Sequence, residues 1–173
     1  MLRKILVFIM LTLLCLSIFA VKSDDILGYW VTEDARSVVE VYKSGNEFEA
    51  RIVALKEADY EKESTLGIPG TPRLDDQNPE KALQVRPILG LTIMTGFEFQ
   101  KELWKNGKIY DPKNGKTYSC KMTLQKDGTL DVRGFIGVAA LGRTTQWVRP
   151  DDYLKKNKLS SLGYEFPSPL LKK

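Results

Sequence analysis

Ser37-Val38-Val39-Glu40-Val41-Tyr42, then Ser44-Gly45-Asn46, then Glu47-Phe48-Glu49-Ala50-Arg51-Ile52-Val53-Ala54 reads as a strand, a turn and a second strand. In the second run Phe48, Ala50, Ile52 and Ala54 share one face, and Glu47, Glu49, Arg51 and Val53 form a mostly wet opposite face. Side chains alternate across a strand, so a period of two marks a sheet with one side buried. Strands joined by so short a reversal pair antiparallel.

The same pattern continues downstream. Asn106-Gly107, Asp111-Pro112-Lys113-Asn114-Gly115 and Asp127-Gly128 read as reversals, because Asn-Gly and Asp-Gly supply the positive φ values of a tight hairpin. Between them Tyr118, Cys120, Met122 and Leu124 alternate with Thr117, Ser119, Lys121 and Thr123. After the last turn Leu130, Val132, Gly134 and Ile136 alternate with Asp131, Arg133 and Phe135. The expected strands span 26–32, 37–43, 47–55, 91–104 with a bend at Gly96, 108–111, 116–125, 129–137 and 143–149. No amphipathic helix of three turns interrupts them. The fold class is therefore all-β, a single antiparallel and mostly meander sheet of about eight strands. A meander of this size hides its edges by closing into a barrel, with an open sandwich as the alternative.

Residues 56–90 form a long connection holding Gly67, Pro69, Gly70, Pro72, Pro79 and Pro87. Asn78-Pro79-Glu80 fits an N-cap with proline at the first helical position, which predicts a short helix from Pro79 to Val85. Beyond Pro150, residues 151–173 read as a polar tail lying on the surface. No internal repeat is present.

At the start, Met1-Leu2-Arg3-Lys4 precedes an apolar run from Ile5 to Leu11 that resumes after Thr12 and reaches Phe19-Ala20. A positive segment, an apolar segment and small residues after it make a secretory signal peptide. A membrane anchor is the rival reading, but the run falls short of the ~20 residues that span a bilayer. Residues 1–23 are thus expected to be a cleaved signal, residues 24–150 the barrel domain, and the destination periplasmic or secreted. Cleavage after Ala20 puts Ile18 at −3, and cleavage after Ser23 puts Val21 there; both remain open. The Leu directly before Cys15 argues against a lipoprotein.

Export alters the composition that matters. Losing Arg3, Lys4 and Lys22 takes the net charge from +4 to +1, so the basic pI of about 9.0 is largely a targeting signal and nucleic acid is not an expected partner. Only Cys120 of the two cysteines survives, which leaves no intramolecular disulfide. The chain has no histidine. That removes Ser-His-Asp and Cys-His nucleophilic sites and histidine-ligated zinc together.

Gly28-Tyr29-Trp30 opens the first strand and Trp147-Val148-Arg149 closes the last. In a closed barrel these strands are neighbours, so Trp30, Trp147 and Arg149 are assigned to closing one end, the guanidinium stacked on the indole. This resembles the closed end of lipocalin-like barrels. Asp75, Asp76 and Asn78 are hard oxygen ligands, but an EF-hand count from Asp75 places Glu80 at position six and Arg86 at position twelve, which fails the calcium pattern. They are assigned to capping within the loop. No metal and no cofactor is expected.

Tyr110 and Tyr118 flank the Asp111–Gly115 turn, either as a recognition loop or as a cross-strand aromatic pair. Arg86, Arg133 and Arg143 are the guanidinium groups suited to an anionic ligand group, with ordinary ion pairs as the bland alternative. These five residues make up the tentative ligand site. Cys120 shares a face with Met122 and Leu124 and reads as a small buried hydrophobe. No catalytic residue is assigned.

Leu74-Asp75-Asp76-Gln77-Asn78-Pro79, Val85-Arg86-Pro87-Ile88-Leu89-Gly90-Leu91, Gly107-Lys108-Ile109-Tyr110-Asp111-Pro112-Lys113-Asn114-Gly115-Lys116-Thr117-Tyr118 and Val132-Arg133-Gly134-Phe135-Ile136-Gly137 occur in this order. Together with Trp147-Val148-Arg149 the set resembles DUF2147, a bacterial domain family of undefined function, over residues 26–150. The resemblance implies a small exported envelope protein with a barrel related to the lipocalin/calycin type and no established reaction.

Three functions are expected from these readings. The first is a non-enzymatic binding module holding a small, partly apolar or amphipathic molecule in the barrel. The second is a filled barrel that contacts an envelope protein or the membrane surface. The third is a carboxylate-dependent hydrolase, which needs two acids facing each other across a cleft. Phe48, Phe97, Phe99, Met122 and Leu124 are the large inward candidates, and whether they fill the barrel separates the first two. Oligomeric state and ligand identity are not legible in the residues.

Overall fold

The computed structural model describes residues 20–157, so the segment read as the apolar part of a signal, and the tail after Asn157, lie outside the described residues. Eight strands form one antiparallel sheet in strict sequence order. They are β1 (Gly28–Val31), β2 (Ser37–Ser44), β3 (Glu47–Leu55), β4 (Thr92–Gln100), β5 (Leu103–Asp111), β6 (Lys116–Leu124), β7 (Leu130–Phe135) and β8 (Arg143–Trp147). The sheet curls back on itself: Val31 N donates to Val148 O at 2.8 Å and Val148 N to Val31 O at 3.1 Å. That single antiparallel bridge brings the ends of the meander together and nearly closes it into a barrel, which shortens the two open edges.

The inward faces of all eight strands meet in one core containing Trp30, Val39, Phe48, Ile52, Met94, Phe97, Trp104, Met122, Leu130, Val132 and Trp147. A smaller cluster of Val31, Val38 and Ala54 lies on the outer wall. Ala54 therefore leaves the face it was expected to share with Phe48, Ala50 and Ile52. The register moves from Val38↔Ala54 to Val39↔Ile52, so Val53 is an extra residue in β3, and such a bulge turns the residues beyond it to the opposite face.

The 91–104 strand and the Asn106-Gly107 turn also need correction. The chain reverses at Lys101 and Glu102, whose φ values of 51° and 60° are both left-handed. Asn106, with φ 68°, sits inside β5 at a register shift between Trp104 and Gly107. Asn-Gly serves here as a bulge, and the reason is packing: a Cβ on Gly107 would lie 2.3 Å from the Phe97 ring. The other two reversals fall where the residues place them. Asp111 closes its turn by accepting from Lys113 N at 3.0 Å and Asn114 Nδ2 at 2.8 Å, and Asp127 accepts from Thr129 N at 3.0 Å.

The expected helix over Pro79–Val85 is only a 3-10 turn, Lys81–Leu83. The chain must bend back at once, because Asp75 N donates to Arg86 O at 3.0 Å and Leu74 bridges Pro87. The segment read as wholly polar tail instead begins with a helix, α1 (Pro150–Asn157), having Asp151 and Asp152 in its first turn and Lys155 and Lys156 in its last. That is the favourable charge order for a helix dipole. Its Tyr153 packs on the outer cluster.

Candidate functional site

At one end of the barrel the N-terminal segment forms a plug. A 3-10 turn, Ser23–Ile26, precedes β1, and two core indoles hold it: Trp30 Nε1 donates to Ile26 O at 2.8 Å and Trp104 Nε1 to Ser23 O at 3.2 Å. The Arg149 guanidinium lies 3.8 Å over the Trp30 ring. It donates to Leu27 O at 3.0 Å, Tyr29 O at 3.3 Å and Asp25 O at 2.7 Å. Burial pushes the Arg149 pKa below the usual guanidinium value, opposed by the nearby carboxylates of Asp152 and Asp25. Trp147 is buried in the core beside this end. These contacts tie the last strand to the plug and commit three of the Arg149 N–H donors to backbone carbonyls.

At the other end the long connection is clasped onto the β5–β6 hairpin. Asp75 is fully buried. Its carboxylate accepts from Tyr110 Oη at 2.6 Å, Asn78 Nδ2 at 2.8 Å, Arg86 Nε at 2.9 Å and Arg86 Nη2 at 2.8 Å. Four charge-assisted or neutral bonds satisfy a buried carboxylate that would otherwise be costly to desolvate. Tyr110 is pushed up to about 12, by burial first and then by its hydrogen bond to Asp75. Asn78 Oδ1 accepts from Glu80 N at 2.9 Å, Asp76 accepts from Tyr60 Oη at 2.5 Å, and the Tyr60 oxygen accepts from Leu74 N at 3.0 Å. Gly115 has a φ of 68°, and a Cβ there would fall 1.8 Å from Gln77 O. Only glycine permits the loop to sit this close to the hairpin.

The five expected ligand residues do not converge on one site. Arg86 and Tyr110 meet in the clasp, where the guanidinium is spent on Asp75. Tyr118 pairs with Ile109 while Tyr110 pairs with Thr117, so the two tyrosines are not a cross-strand pair, and Tyr118 Oη accepts from Asn114 at 3.1 Å. Arg133 holds the β7–β8 loop by donating to Ala139 O at 2.8 Å, Ala140 O at 3.1 Å and Thr144 Oγ1 at 2.8 Å. Arg143 reaches Glu33 at 3.6 Å with 84% of its side chain exposed.

The barrel is filled through its centre. Trp30, Met94, Phe97, Trp104 and Leu130 show 0% exposure, and a water-sized void against any of them would expose surface. Cys120 is buried in the same layer, and burial pushes its thiol up to about 12, far from a reactive thiolate. Toward the clasped end Ile109, Tyr118, Gly134 and Thr145 are only half-buried and form a shallow mouth. A depression at Arg51, Ile52, Val53, Leu89 and Gly90 lies where the long connection rejoins β3 and opens broadly to solvent.

Large apolar side chains are exposed on the two connections that leave the barrel at this end. They are Leu66, Ile68, Val85 and Leu89 on the long connection, and Ile136, Val138 and Leu141, exposed by 71%, 60% and 83%, on the β7–β8 loop. In an antiparallel meander the β3–β4 and β7–β8 connections emerge at one end, so these side chains form an apolar crown. Sequence reading missed it by treating 129–137 as an alternating strand. The available signal was Ile136-Gly137-Val138-Ala139-Ala140-Leu141-Gly142, an uncharged run without alternation.

The profile of a family described as "Uncharacterized protein conserved in bacteria (DUF2147)" matches residues 28–149. The chain belongs to the DUF2147 family. Three of the segments that carried the resemblance, Leu74–Pro79, Val85–Leu91 and Gly107–Tyr118, supply the residues of the clasp in this DUF2147 barrel. A solved structure described as "Protein HP1028 from the human pathogen Helicobacter pylori belongs to the lipocalin family" is similar in fold. The TM-score is 0.60 at 22% identity, covering 84% of this chain and 94% of that one. The DUF2147 chain thus has a lipocalin-like fold. No curated protein is detectably similar in sequence.

Proposed function

We propose that this chain is an exported, non-enzymatic interaction module of the bacterial envelope, working through its apolar crown and not through an internal cavity. The observation that carries this reading is the pairing of a filled barrel centre with large aliphatic side chains exposed at one end. Large exposed apolar side chains gathered on the connections at one end of a fold mark an interaction surface. The crown connections 32–36, 56–91, 112–115 and 136–142 hold nine Asp/Glu and seven Lys/Arg. With no cationic excess, the crown is poorly matched to an anionic bilayer and better matched to an apolar protein surface.

A photo-crosslinking residue placed at Ile136 or Leu141, with controls at Gly45 and Asp127 on the opposite end, tests this in the envelope of the native host. The expected result is a discrete protein adduct from the crown positions alone, abolished by Val138→Asp. Equal labelling from both ends overturns it.

A second reading has its own observation. The half-buried Ile109, Tyr118 and Thr145 surround Gly134, where a Cβ would meet Ile109 Cγ2 and Tyr118 Cβ only at 3.7 Å. That is space for a methyl group, against which the apolar end of a small amphipathic molecule would rest in the mouth. Native mass spectrometry of protein taken from the envelope separates the readings, since a stoichiometric adduct favours the mouth and a bare mass favours the crown.

A further inference from the structure

Residues 21–26, ahead of the first strand, are packed into the fold, and their contacts bear on how the chain is processed. Val21 packs against the core, while Ala20 is exposed. Lys22 N donates to Asp25 Oδ2 at 2.7 Å, and Asp25 N donates back to Lys22 O at 3.2 Å. Ser23 O accepts from the indole of Trp104 at 3.2 Å, and Trp104 has no exposed surface. Residues 21–23 are therefore part of the plug.

Resting on the export reading, we propose that the mature chain begins at Val21, through hydrolysis of the Ala20–Val21 peptide bond by an envelope signal peptidase. Water adds across that amide. Ala20 keeps the new carboxylate on the leader, and Val21 takes the α-ammonium. Ala20 at −1 and Ile18 at −3 meet the requirement for a small residue last and a small or aliphatic one two before. The alternative bond, Ser23–Asp24, also meets it, but cutting there discards the Val21 packing, the Lys22–Asp25 turn and the only acceptor of the Trp104 indole N–H among the described residues. A buried donor left without a partner is costly. Cutting there also places an α-ammonium on Asp24, whose carboxylate pairs with Lys43 at 2.7 Å. The structure distinguishes two bonds that the leader sequence alone does not.

The test is to express the full-length chain in an exporting bacterial host, purify it from the envelope fraction, and read its intact mass and N-terminal sequence. A chain starting at Val21 is expected. A start at Asp24 overturns the site while leaving export standing, and an intact Met1 start overturns both. Chains made directly from Val21 and from Asp24 supply the second measurement. The shorter one is expected to have a folding equilibrium constant lower by about tenfold or more, the range for an unpaired buried donor. Equal constants overturn the physical reason for the choice.

Discussion

The Tyr110 hydroxyl donates to the Asp75 carboxylate at 2.6 Å across 35 residues of chain, and Arg86 closes on the same carboxylate from the other side at 2.8 Å. The long connection is tied to the β5–β6 hairpin by this shared acceptor. Removing either donor or acceptor tests how much of the crown depends on it.

Asp75→Asn leaves Arg86 without its counter-charge and is expected to destabilise the barrel by about 3 kcal/mol. Tyr110→Phe removes one bond and is expected to cost about 1 kcal/mol. Urea unfolding measures both. Hydrogen exchange should show residues 74–90 losing protection before the strands do; uniform loss would mean that the connection does not open independently of the barrel.

The folded-state pKa values of Tyr110 and Cys120 are both raised, each to about 12. A raised value means that stability is fully present below the unfolded pKa, near 10 for tyrosine and 9 for cysteine, and is lost as pH rises through the folded one. Stability is therefore expected to fall between pH 9 and 12. In Tyr110→Phe the fall should be shallower, and the latest phenolate transition should be missing from an absorbance titration.

Cys120 should resist thiol reagents at neutral pH in the folded chain and react only on unfolding, because burial keeps it protonated and out of reach. Labelling with iodoacetamide across a urea series should follow the tryptophan fluorescence transition. Fast labelling in the absence of urea would show local opening of the β5–β7 layer.

Arg149→Lys keeps a charge but loses the planar group over Trp30 and most of its three carbonyl contacts. The expected cost is about 2 kcal/mol, with a red-shifted Trp30 emission as the plug loosens. Arg143→Lys, on an exposed side chain with a 3.6 Å ion pair, should change stability by less than about 0.5 kcal/mol.

Lys101 and Glu102 occupy left-handed conformations without the residues that favour them. Lys101→Asn with Glu102→Gly should stabilise the chain by about 1 kcal/mol. Gly107→Ala should do the opposite, by about 2 kcal/mol, because its Cβ meets the Phe97 ring. Thermal unfolding of the two variants separates a true turn from a bulge.

This last pair shows where local reading reached its limit. Asn-Gly signals positive φ, and Asn106 has it, but whether that serves a reversal or a bulge depends on Phe97 arriving from another strand. The candidate site divides in the same way. Asp75, Asn78, Arg86 and Tyr110 were all singled out, yet as a loop cap and a separate ligand site, because their meeting requires the β5–β6 hairpin to dock on a loop more than twenty residues away. Asp75 was legible as polar but not as buried, since burial is a property of what covers it.

From the residues alone came the alternating eight-strand pattern, the absence of histidine chemistry, and the two segments, Gly28–Trp30 and Trp147–Arg149, that lie at the two ends of the sheet. Period and turn chemistry are local, so they survive in a bare sequence. Only the tertiary structure decided that the barrel is filled, that Arg86, Arg133 and Arg149 are engaged by the chain's own acceptors, and that the aliphatic loops leave the sheet at one end. Those outcomes depend on volume and on which strand ends lie together, and both exist only once the sheet has closed.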